Sequence, residues 1–370
     1  MANRSNLSLV AGGECVRRIA LLSRNLAKAR LDALIVVNPI NRFYLTGFKS
    51  TAGILIVRPK GKADFLADFR YAEMARDEID AAQVRAAHDP TASLATIAVR
   101  EKWRRIGYEG SLPAGQLNEL REKLPAAVEW TESEKPILDL RARKSRSEQN
   151  AIRRAVRLGD EVFKNTVAEI EIGMTEWDVR RLLRGWIDRL DGEGESFDCI
   201  VSVGSNASKP HAHVTHRPLR RGQVLLIDMG VVLGGYCSDM TRTLFLGEPS
   251  KRMRTIYDIV LNAQMRAIDT IRAGKRAREI DAVARRYIER HGYGKRFGHR
   301  LGHAVGLEIH ESPFLGPLHD DILEPGMVLT VEPGIYIPGV GGVRIEDMIV
   351  VRRDGCEILT QTPKDPIILG

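Results

Sequence analysis

Apolar positions in the first third of the chain alternate between helical and extended patterns. Residues 16–31 carry apolar side chains at helical spacing, and two β-branched runs follow, ALIVVN (33–38) and GILIVRP (53–59). Short apolar runs of this kind are typical of buried strands. A further helix is predicted over residues 69–82. Helices that alternate with strands predict an α/β domain at the N-terminus.

The pattern changes near residue 140. From Arg141 the sequence RARKSRSEQNAIRRAVRLGDEVFKNTVAEI predicts one long amphipathic helix. A chain of 370 residues also exceeds one typical core, since domains average about 150 residues. We therefore predict two domains, residues 1–140 and residues 141–370.

The second domain contains helices with recognisable ends, followed by strands that glycines interrupt. Thr175 and Asp178 have the spacing of a capping box, in which each side chain bonds the other residue's backbone. Gly274 is predicted to end a helix that begins near Ser250. This mixture of helices and strands predicts an α+β domain.

Two aspartates lie in the apolar segment QVLLIDMGVVLGGYCSDMTRTLFLG. The dipeptide Gly234-Gly235 favours a two-residue hairpin turn between two strands. That turn pairs Asp228 with Thr241 and leaves Asp239 on the same face as Asp228. A single aspartate here also fits a solvated turn, but two carboxylates on one face of apolar strands require a positive partner.

A second hairpin repeats the arrangement in VLTVEPGIYIPGVGGVRIEDMIVV. A turn centred near Gly339 places Glu332 directly opposite Glu346. Like charges in that position destabilise a sheet unless a cation lies between them. Arg344 is on the same face as Glu346 and offsets one charge.

The four carboxylates of the two hairpins carry a charge of −4, which two divalent cations would neutralise. A neutral imidazole is expected as a fifth ligand, and the run GHAVGLEIHESP offers His303, our first choice, and His310. Glycines make this run a poor helix, and a strand would place the two histidines on opposite faces, in different roles. Oxygen-rich ligation with one nitrogen suits manganese, cobalt or iron better than zinc.

Charge and cysteine content narrow the classes of protein. The balance of 56 Lys+Arg against 48 Asp+Glu gives a net charge of +8, but the basic residues alternate with acidic ones along predicted helices. That pattern is typical of a solvated helix face, so we expect no nucleic-acid partner. The 4 cysteines are widely spaced, which favours a reducing cytoplasm over a secreted disulfide scaffold.

Targeting signals are not expected. The apolar patch in the N-terminal MANRSNLSLVAGGEC is too brief for a signal peptide, and no apolar run approaches the roughly 20 residues that span a bilayer. We expect neither export nor membrane insertion.

Taken together, these residues resemble the "pita-bread" metallopeptidases, the family of methionine aminopeptidase, aminopeptidase P, prolidase and creatinase. NPINRFYLTGF (38–48) is similar to the creatinase/prolidase-type N-terminal domain, and SFDCIVSVGSNASKPHAHV (196–214) is similar to the segment before the first metal strand. The resemblance implies a creatinase/prolidase-type N-terminal α/β domain followed by a pita-bread catalytic domain. Methionine aminopeptidases generally lack the first domain, so the proline-directed branch fits better.

The resemblance implies a complete dinuclear ligand set. Asp239 and Glu346 would bridge two ions, Asp228 would bind one of them, and His303 with Glu332 would bind the other. Manganese or cobalt is expected, with zinc or iron as alternatives. The ions would share a hydroxide that acts as nucleophile, and Glu332 would accept and later donate a proton.

The resemblance also assigns substrate-contacting residues. His211 and His310 match histidines that bind substrate and stabilise the oxyanion, while His299 and Arg344 match pocket residues. Two other histidines are interpreted as surface residues, namely His213 and His216.

The function implied is hydrolysis of Xaa-Pro bonds in peptides or dipeptides by a cytoplasmic homodimer. Two departures qualify it: Ala304 stands where the family usually has glycine, and Phe314 stands where some dipeptidases have an arginine that holds the substrate carboxylate. Phe314 slightly favours longer peptides as substrates.

Two alternative functions remain open from the sequence. One is a creatinase-like enzyme that cleaves a non-peptide C–N bond, and the other is a binding protein that kept the fold without catalysis. Creatinase-like members lack the full metal set, and retention of all five ligand types here argues against both alternatives.

Overall fold

The computed structural model describes residues 12–370, so the predicted lack of a signal peptide concerns a segment that lies mostly outside the described residues. The chain divides into two compact units, Met1–Arg141 and Ala142–Gly370. Among residues 12–370, every helix is too short or too polar to cross a lipid bilayer.

The first unit is built on one six-stranded mixed sheet. Its strands are Ala33–Val36 (β1), Ile54–Val57 (β2), Ala63–Ala67 (β3), Ala82–Ala86 (β4), Arg105–Tyr108 (β5) and Glu129–Glu132 (β6). They lie in the order β4-β3-β2-β1-β5-β6, and the pairs β3/β4, β1/β5 and β5/β6 are parallel. The strands predicted at 33–38 and 53–59 are confirmed as β1 and β2, whose side chains are all buried.

Helices alternate with these strands, as the sequence pattern predicts. They are Gly12–Ala29 (α1), Pro39–Thr46 (α2), Ala72–Glu78 (α3), Pro90–Arg100 (α4), Ala114–Lys123 (α5) and Lys135–Ala142 (α6). The helix predicted over residues 69–82 is shorter than expected, because Ile79 adopts an extended conformation that ends α3. Leu94 of α4 packs with Ile35 and Ile106 of the sheet in the apolar core.

The second unit has four long helices among its described residues. They are Arg146–Glu169 (α7), Glu176–Arg189 (α8), Lys251–Thr270 (α9) and Ala277–Arg290 (α10). The prediction that one helix runs on from Arg141 is wrong by several residues. Ser145 begins α7 through a capping box with Glu148, and the Lys144 N–H donates to the carbonyl of Gly326, outside any helix.

The predicted ends of α8 and α9 have different outcomes. The capping box of Thr175 and Asp178 is confirmed, with hydrogen bonds in both directions. Ser250 caps α9 as predicted, but α9 ends at Thr270 and not at Gly274. The extended conformation of Ile271 ends it earlier, and the Gly274 N–H then donates to the carbonyl of Leu323.

The strands of the second unit form several small sheets. They are Gly194–Glu195 (β7), Ile200–Val203 (β8), Gln223–Met229 (β9), Val231–Leu233 (β10), Tyr236–Cys237 (β11), Met240–Leu246 (β12), Gly302–Ala304 (β13), Glu311–Leu315 (β14), Val328–Val331 (β15), Gly334–Ile337 (β16), Gly341–Arg344 (β17), Asp347–Val351 (β18), Cys356–Ile358 (β19) and Ile368–Leu369 (β20). The two larger sheets have the orders β20-β12-β9-β8 and β14-β13-β15-β18-β19. Short 3₁₀ helices at Gly204–Ser208 and Gly294–Arg296 complete the unit.

Helices cover these sheets through two apolar cores. One core joins α9 and α10 to strands of both larger sheets, and includes Ile256, Ile280 and Leu329. The other joins α7 and α8 to β8, β9 and β12, and includes Phe163 and Leu183. This mixed α/β architecture agrees with the predicted fold class.

The register of both predicted hairpins is confirmed. Asp228 pairs with Thr241 in the first, and the residues on either side of Gly339 pair symmetrically in the second. The strands themselves are shorter than predicted, because each arm is interrupted. The first hairpin divides into β9/β12 and β10/β11, and the second into β15/β18 and β16/β17.

Candidate metal centre and active site

The four predicted carboxylate ligands lie at the interruptions of the two hairpins. Asp228 is the penultimate residue of β9, and Asp239 occupies the gap between β11 and β12. Glu332 and Glu346 occupy the gaps of the second hairpin, opposite each other in the shared register of its two ladders. An interrupted strand keeps its register while freeing Asp239, Glu332 and Glu346 from the pleat, so these three side chains can turn towards one place.

The structure brings His303 to the same place. Its Nε2 atom lies 3.6 Å from Oδ2 of Asp239 and 3.4 Å from Oε1 of Glu332. One ligand atom each from Asp239, His303 and Glu346 also lie within 4.8 Å of one another, and all three residues are buried. The sequence-predicted ligands therefore form one cluster.

The tautomer of His303 leaves a lone pair facing that cluster. Its Nδ1 atom lies 3.2 Å from the carbonyl oxygen of Ala304, which can only accept, so Nδ1 carries the proton. Burial lowers the pKa of His303 to about 3, so the ring is neutral at pH 7. Neutral Nε2 and the neighbouring carboxylate oxygens are all acceptors, an arrangement that a cation satisfies.

Burial also acts on the carboxyl groups. It raises the pKa of Glu332 to about 8, against the opposing charge of Arg344. Burial, and then the charges of neighbouring carboxylates, raise the pKa values of Asp239 and Glu346 well above the ordinary range. Without a cation these groups favour protonation, and bound divalent ions would favour the ionised form instead.

Asp228 supplies a further open ligand atom. Its Oδ2 accepts a 2.5 Å hydrogen bond from Nη2 of Arg344. The charge of this arginine also opposes the rise in the pKa of Glu346, as predicted. Oδ1 of Asp228 is buried and has no hydrogen-bond partner among residues 12–370. Buried polar atoms are almost always satisfied, so an unpartnered oxygen beside three other carboxylates fits a metal ligand.

Two threonines hold the carboxylates in place. The hydroxyl of Thr241 donates to Oε2 of Glu346 at 2.7 Å and accepts from Nε of Arg344 at 3.1 Å. The hydroxyl of Thr330 lies 3.5 Å from Oε1 of Glu332 and accepts from the backbone N–H of His303 at 3.1 Å. Both threonines are fully buried. Sequence reasoning did not identify either as part of the site.

The cluster lines a cavity of about 400 Å³. Apolar side chains and cationic or imidazole groups form its walls. Besides the five candidate ligands, the lining residues are Phe197, Asp198, Ile200, Pro210, His211, Ala212, His213, His299, Arg300, Gly302, Ile309, His310, Phe314 and Arg344. Its volume suits a small peptide.

The two histidines of the run GHAVGLEIHESP meet across a hairpin. The β13/β14 ladder pairs His303 with Phe314 and has an irregular register next to His303. The chain bends between these strands, and the rings of His303 and His310 lie 4.4 Å apart in a T-shaped contact. The two histidines therefore do not share a strand, so the argument from opposite faces of one strand does not apply, and their different roles stay a prediction.

The other predicted substrate residues line the same cavity. His211 and His310 are exposed, so their rings are accessible to a ligand. His213, which we interpreted as a surface residue, is exposed but also lines the cavity, whereas His216 lies against Trp177.

His299 has both ring nitrogens committed to protein groups. Its Nδ1 donates to the carbonyl of Arg300 at 2.7 Å, so Nε2 accepts from the Tyr336 hydroxyl at 3.0 Å. That hydroxyl in turn accepts from Nη1 of Arg344 at 2.7 Å. His299 thus supports Arg344 through Tyr336, and its direct contact with substrate stays a prediction.

The two departures from the family pattern lie in different surroundings. The methyl group of Ala304 is part of an apolar core and does not line the cavity. Phe314 does line it, and the guanidinium carbon of Arg300 lies 4.2 Å from the centre of its ring. Arg300 was not predicted, although its place three residues before His303 in a basic run was a usable signal.

Comparisons with known proteins agree with this geometry. Residues 150–353 match the model of metallopeptidase family M24, and residues 18–143 match the creatinase/prolidase N-terminal domain. An Xaa-Pro dipeptidase of Pyrococcus horikoshii is 34% identical over 92% of this chain and 95% of its own length.

Solved structures are similar over nearly the whole length. An Xaa-Pro dipeptidase from Bacillus anthracis superposes with a TM-score of 0.92 at 36% identity, covering 97% of this chain and 100% of that one. An X-Pro aminopeptidase from Thermotoga maritima has a TM-score of 0.87 at 32% identity, covering 92% and 98%. The predicted fold class is confirmed, and the chain belongs to metallopeptidase family M24.

Proposed function

We propose that this protein is a metal-dependent exopeptidase that hydrolyses the bond before proline. The observation that carries the proposal is the cluster around His303, whose unprotonated Nε2 faces carboxylate oxygens of Asp239 and Glu332. Relatives at 34% and 32% identity are Xaa-Pro dipeptidases, which supports the same reaction here. Dipeptides and short peptides that contain proline are the proposed substrates.

The ligand roles follow the predicted set. We assign Asp239 and Glu346 to both ions, Asp228 to one, and His303 with Glu332 to the other. The unpartnered Oδ1 of Asp228 and the open Nε2 of His303 support the assignment. Oxygen-rich ligation favours manganese or cobalt, with zinc and iron as alternatives.

The protein's own groups complete the reaction. The chemistry that two bound divalent ions supply is Lewis acidity, which activates water at neutral pH. The carboxylate of Glu332 takes the proton of the attacking water and delivers it to the proline nitrogen as the C–N bond breaks. The ring N–H groups of His211 and His310 donate to the substrate backbone and stabilise charge on the scissile carbonyl oxygen. Arg344 orients Asp228.

Proline specificity has a physical basis in such a cavity. An Xaa-Pro bond has no amide hydrogen and a restricted geometry, so a peptidase that requires that N–H as a handle binds it poorly. Apolar walls at Phe197, Ile200 and Ile309 offer contact for the ring and for the preceding side chain. A dedicated pocket thus replaces the missing hydrogen bond.

The proposal also covers the domain organisation, the cellular location and the oligomeric state of the protein. We assign residues 1–140 to a creatinase/prolidase-type N-terminal domain and residues 141–370 to the catalytic domain. The division of the chain after Arg141 supports this boundary. The wide spacing of the 4 cysteines, which form no Cys-x-x-Cys pair, supports a cytoplasmic location. A homodimer is proposed from the family resemblance alone.

Hydrolysis assays test the function directly. Chelated protein is assayed on Ala-Pro, Ala-Pro-Ala and creatine, before and after addition of manganese or cobalt. We expect metal-dependent release of alanine from at least one proline peptide and no reaction with creatine. Cleavage of creatine alone would support the creatinase-like alternative, and no metal-dependent reaction at all would support a binding protein.

A pair of histidine variants separates catalysis from folding. His310→Ala is expected to lower kcat about a hundredfold, because it removes a donor to the developing oxyanion. His216→Ala is the matched control, since its exposed ring contacts Trp177 outside the cavity. Equal activity of the two variants would contradict the role of His310.

A further inference from the structure

Arg300 is held in a defined position on the cavity wall. Its guanidinium carbon lies 4.2 Å from the centre of the Phe314 ring. Its aliphatic stem lies against Gly316, where an added Cβ would come within 2.7 Å of Arg300 Cγ. The side chain is exposed and lines the cavity that holds the metal cluster. These two contacts orient a long side chain that would otherwise be mobile.

The positive charge of Arg300 has no carboxylate partner in the catalytic unit. Within residues 142–370, its side chain forms no hydrogen bond or ion pair, and its aromatic contact is the stacking on Phe314. The other arginine of the cavity, Arg344, is committed to Asp228 and Tyr336. Arg300 is therefore the cavity arginine whose N–H donors are available to a ligand.

The geometry of stacking leaves those donors accessible. A guanidinium above an aromatic ring uses its face for the ring and keeps its in-plane N–H groups for hydrogen bonds. Two parallel N–H groups match the two oxygens of a carboxylate. Phe314 carries no charge, so stacking on it leaves the positive charge of the guanidinium available to an anion.

The charge of Arg300 acts close to the place where substrate is expected. Arg300 and His310 line the same cavity, and the His310 ring packs against that of His303. His310 is the proposed donor to the scissile peptide. In an Xaa-Pro dipeptide the carboxylate carbon is two bonds from the scissile nitrogen, roughly 2.5 Å away. The carboxylate therefore belongs to the proline residue, on the leaving-group side of the scissile bond.

We propose that Arg300 binds the free α-carboxylate of the proline residue, so that the enzyme prefers Xaa-Pro dipeptides to longer peptides. The inference rests on the proposed function. Phe314 alone slightly favours longer substrates, but Arg300, in the segment just before β13, supplies the charge that Phe314 lacks. Phe314 contributes by positioning the guanidinium.

Paired substrates and variants test the carboxylate site. Wild-type protein, Arg300→Met, Arg300→Lys and Arg296→Met are reconstituted with manganese and assayed on Ala-Pro and on Ala-Pro amide, which lacks the charge. Arg296 is the matched control because it is an exposed arginine of the same segment that does not line the cavity. Thermal unfolding of each variant provides a readout that does not depend on turnover, and inhibition of each by free proline reports carboxylate binding without a scissile bond.

We expect Arg300→Met to raise KM for Ala-Pro, and Ki for proline, about tenfold to a hundredfold with KM for the amide changed less than about twofold. Arg300→Lys should retain part of the preference, and Arg296→Met should match wild type. Equal effects of Arg300→Met on both substrates, or no effect, would overturn the carboxylate site while leaving the peptidase function intact. A wild-type enzyme inactive on both substrates and on Ala-Pro-Ala would instead refute the proposed function, and this inference with it.

Discussion

Single buried hydroxyl groups decide how the carboxylates of the centre are oriented. Thr241 is the clearest case, because one Oγ1 atom donates to Glu346 and accepts from Arg344. Such indirect partners fix the rotamer of a ligand and tune its basicity. The ligands alone therefore do not account for the affinity of the site.

Replacing Thr241 by valine removes this hydrogen bond without changing the shape of the side chain. We expect metal affinity to fall about tenfold to a hundredfold, measured by competition with a chromophoric chelator. Thr243→Val is the matched control. Thr243 is equally buried on the same strand, but its hydroxyl contacts only the backbone of Arg344. An equal loss of affinity in both variants would contradict a specific role for Thr241.

Residue types were more predictable from the sequence than residue partners. The charge on two hairpins indicated a metal site because carboxylates in apolar strands are costly wherever they lie. The hydroxyl contact between Thr241 and Glu346 joins residues 105 positions apart, and no local pattern encodes it. The stacking of Arg300 on Phe314 depends likewise on the irregular β13/β14 pairing.

At the scale of elements, interruptions of the strands give the site its shape. In the first hairpin the break at Gly230 lies against the opposite arm. A Cβ added there would lie 1.9 Å from the carbonyl oxygen of Ser238. Close approach of the two backbones at this point sets the path of the chain between Asp228 and Asp239.

Gly230→Ala is expected to lower the free energy of unfolding by about 3 kcal/mol, because the backbone must move to accept the methyl group. The measurement is urea unfolding followed by fluorescence. Gly185→Ala in α8 is the control, since a Cβ there meets no atom within 4 Å and a helix interior favours alanine by up to about 1 kcal/mol. Full stability of Gly230→Ala would refute the close approach.

At this scale the register of the hairpins was predictable from the sequence, and the interruptions of their strands were not. Gly234-Gly235 specifies the turn, and both glycines adopt positive φ angles of 62° and 79°. Period-two counting then carries the register to Asp228 correctly. The same counting treats each arm as one continuous strand, because the contact that breaks it lies across the hairpin. The early end of α9 has a similar origin, in contacts with distant loops.

At the scale of the whole molecule, the two units have separate cores. We expect loss of metal to affect the second unit and not the first. Asp239 lies in the second unit, where its carboxylate is one of the buried acceptors around His303. The first unit has its own six-stranded sheet with a buried interior. Damage to the metal centre should therefore leave that sheet intact.

Asp239→Ala is expected to abolish binding of the metal pair and to leave hydrogen exchange in β1 and β2 unchanged. Amide exchange read by mass spectrometry reports both units in the full chain, and metal content is measured in parallel. Asp258→Ala is the matched control, because its exposed carboxylate pairs with Arg254 on α9. A variant of Asp239 that still binds two ions would show that the ligand assignment is wrong.

Metal stoichiometry of the active enzyme tests the central claim most directly. Chelated protein is titrated with manganese under anaerobic, chelator-buffered conditions, and hydrolysis of Ala-Pro is recorded against the number of ions bound per chain. The five clustered ligands predict that activity saturates at two bound ions per chain. Saturation at one ion, or hydrolysis that persists without bound metal, would contradict a dinuclear metallopeptidase.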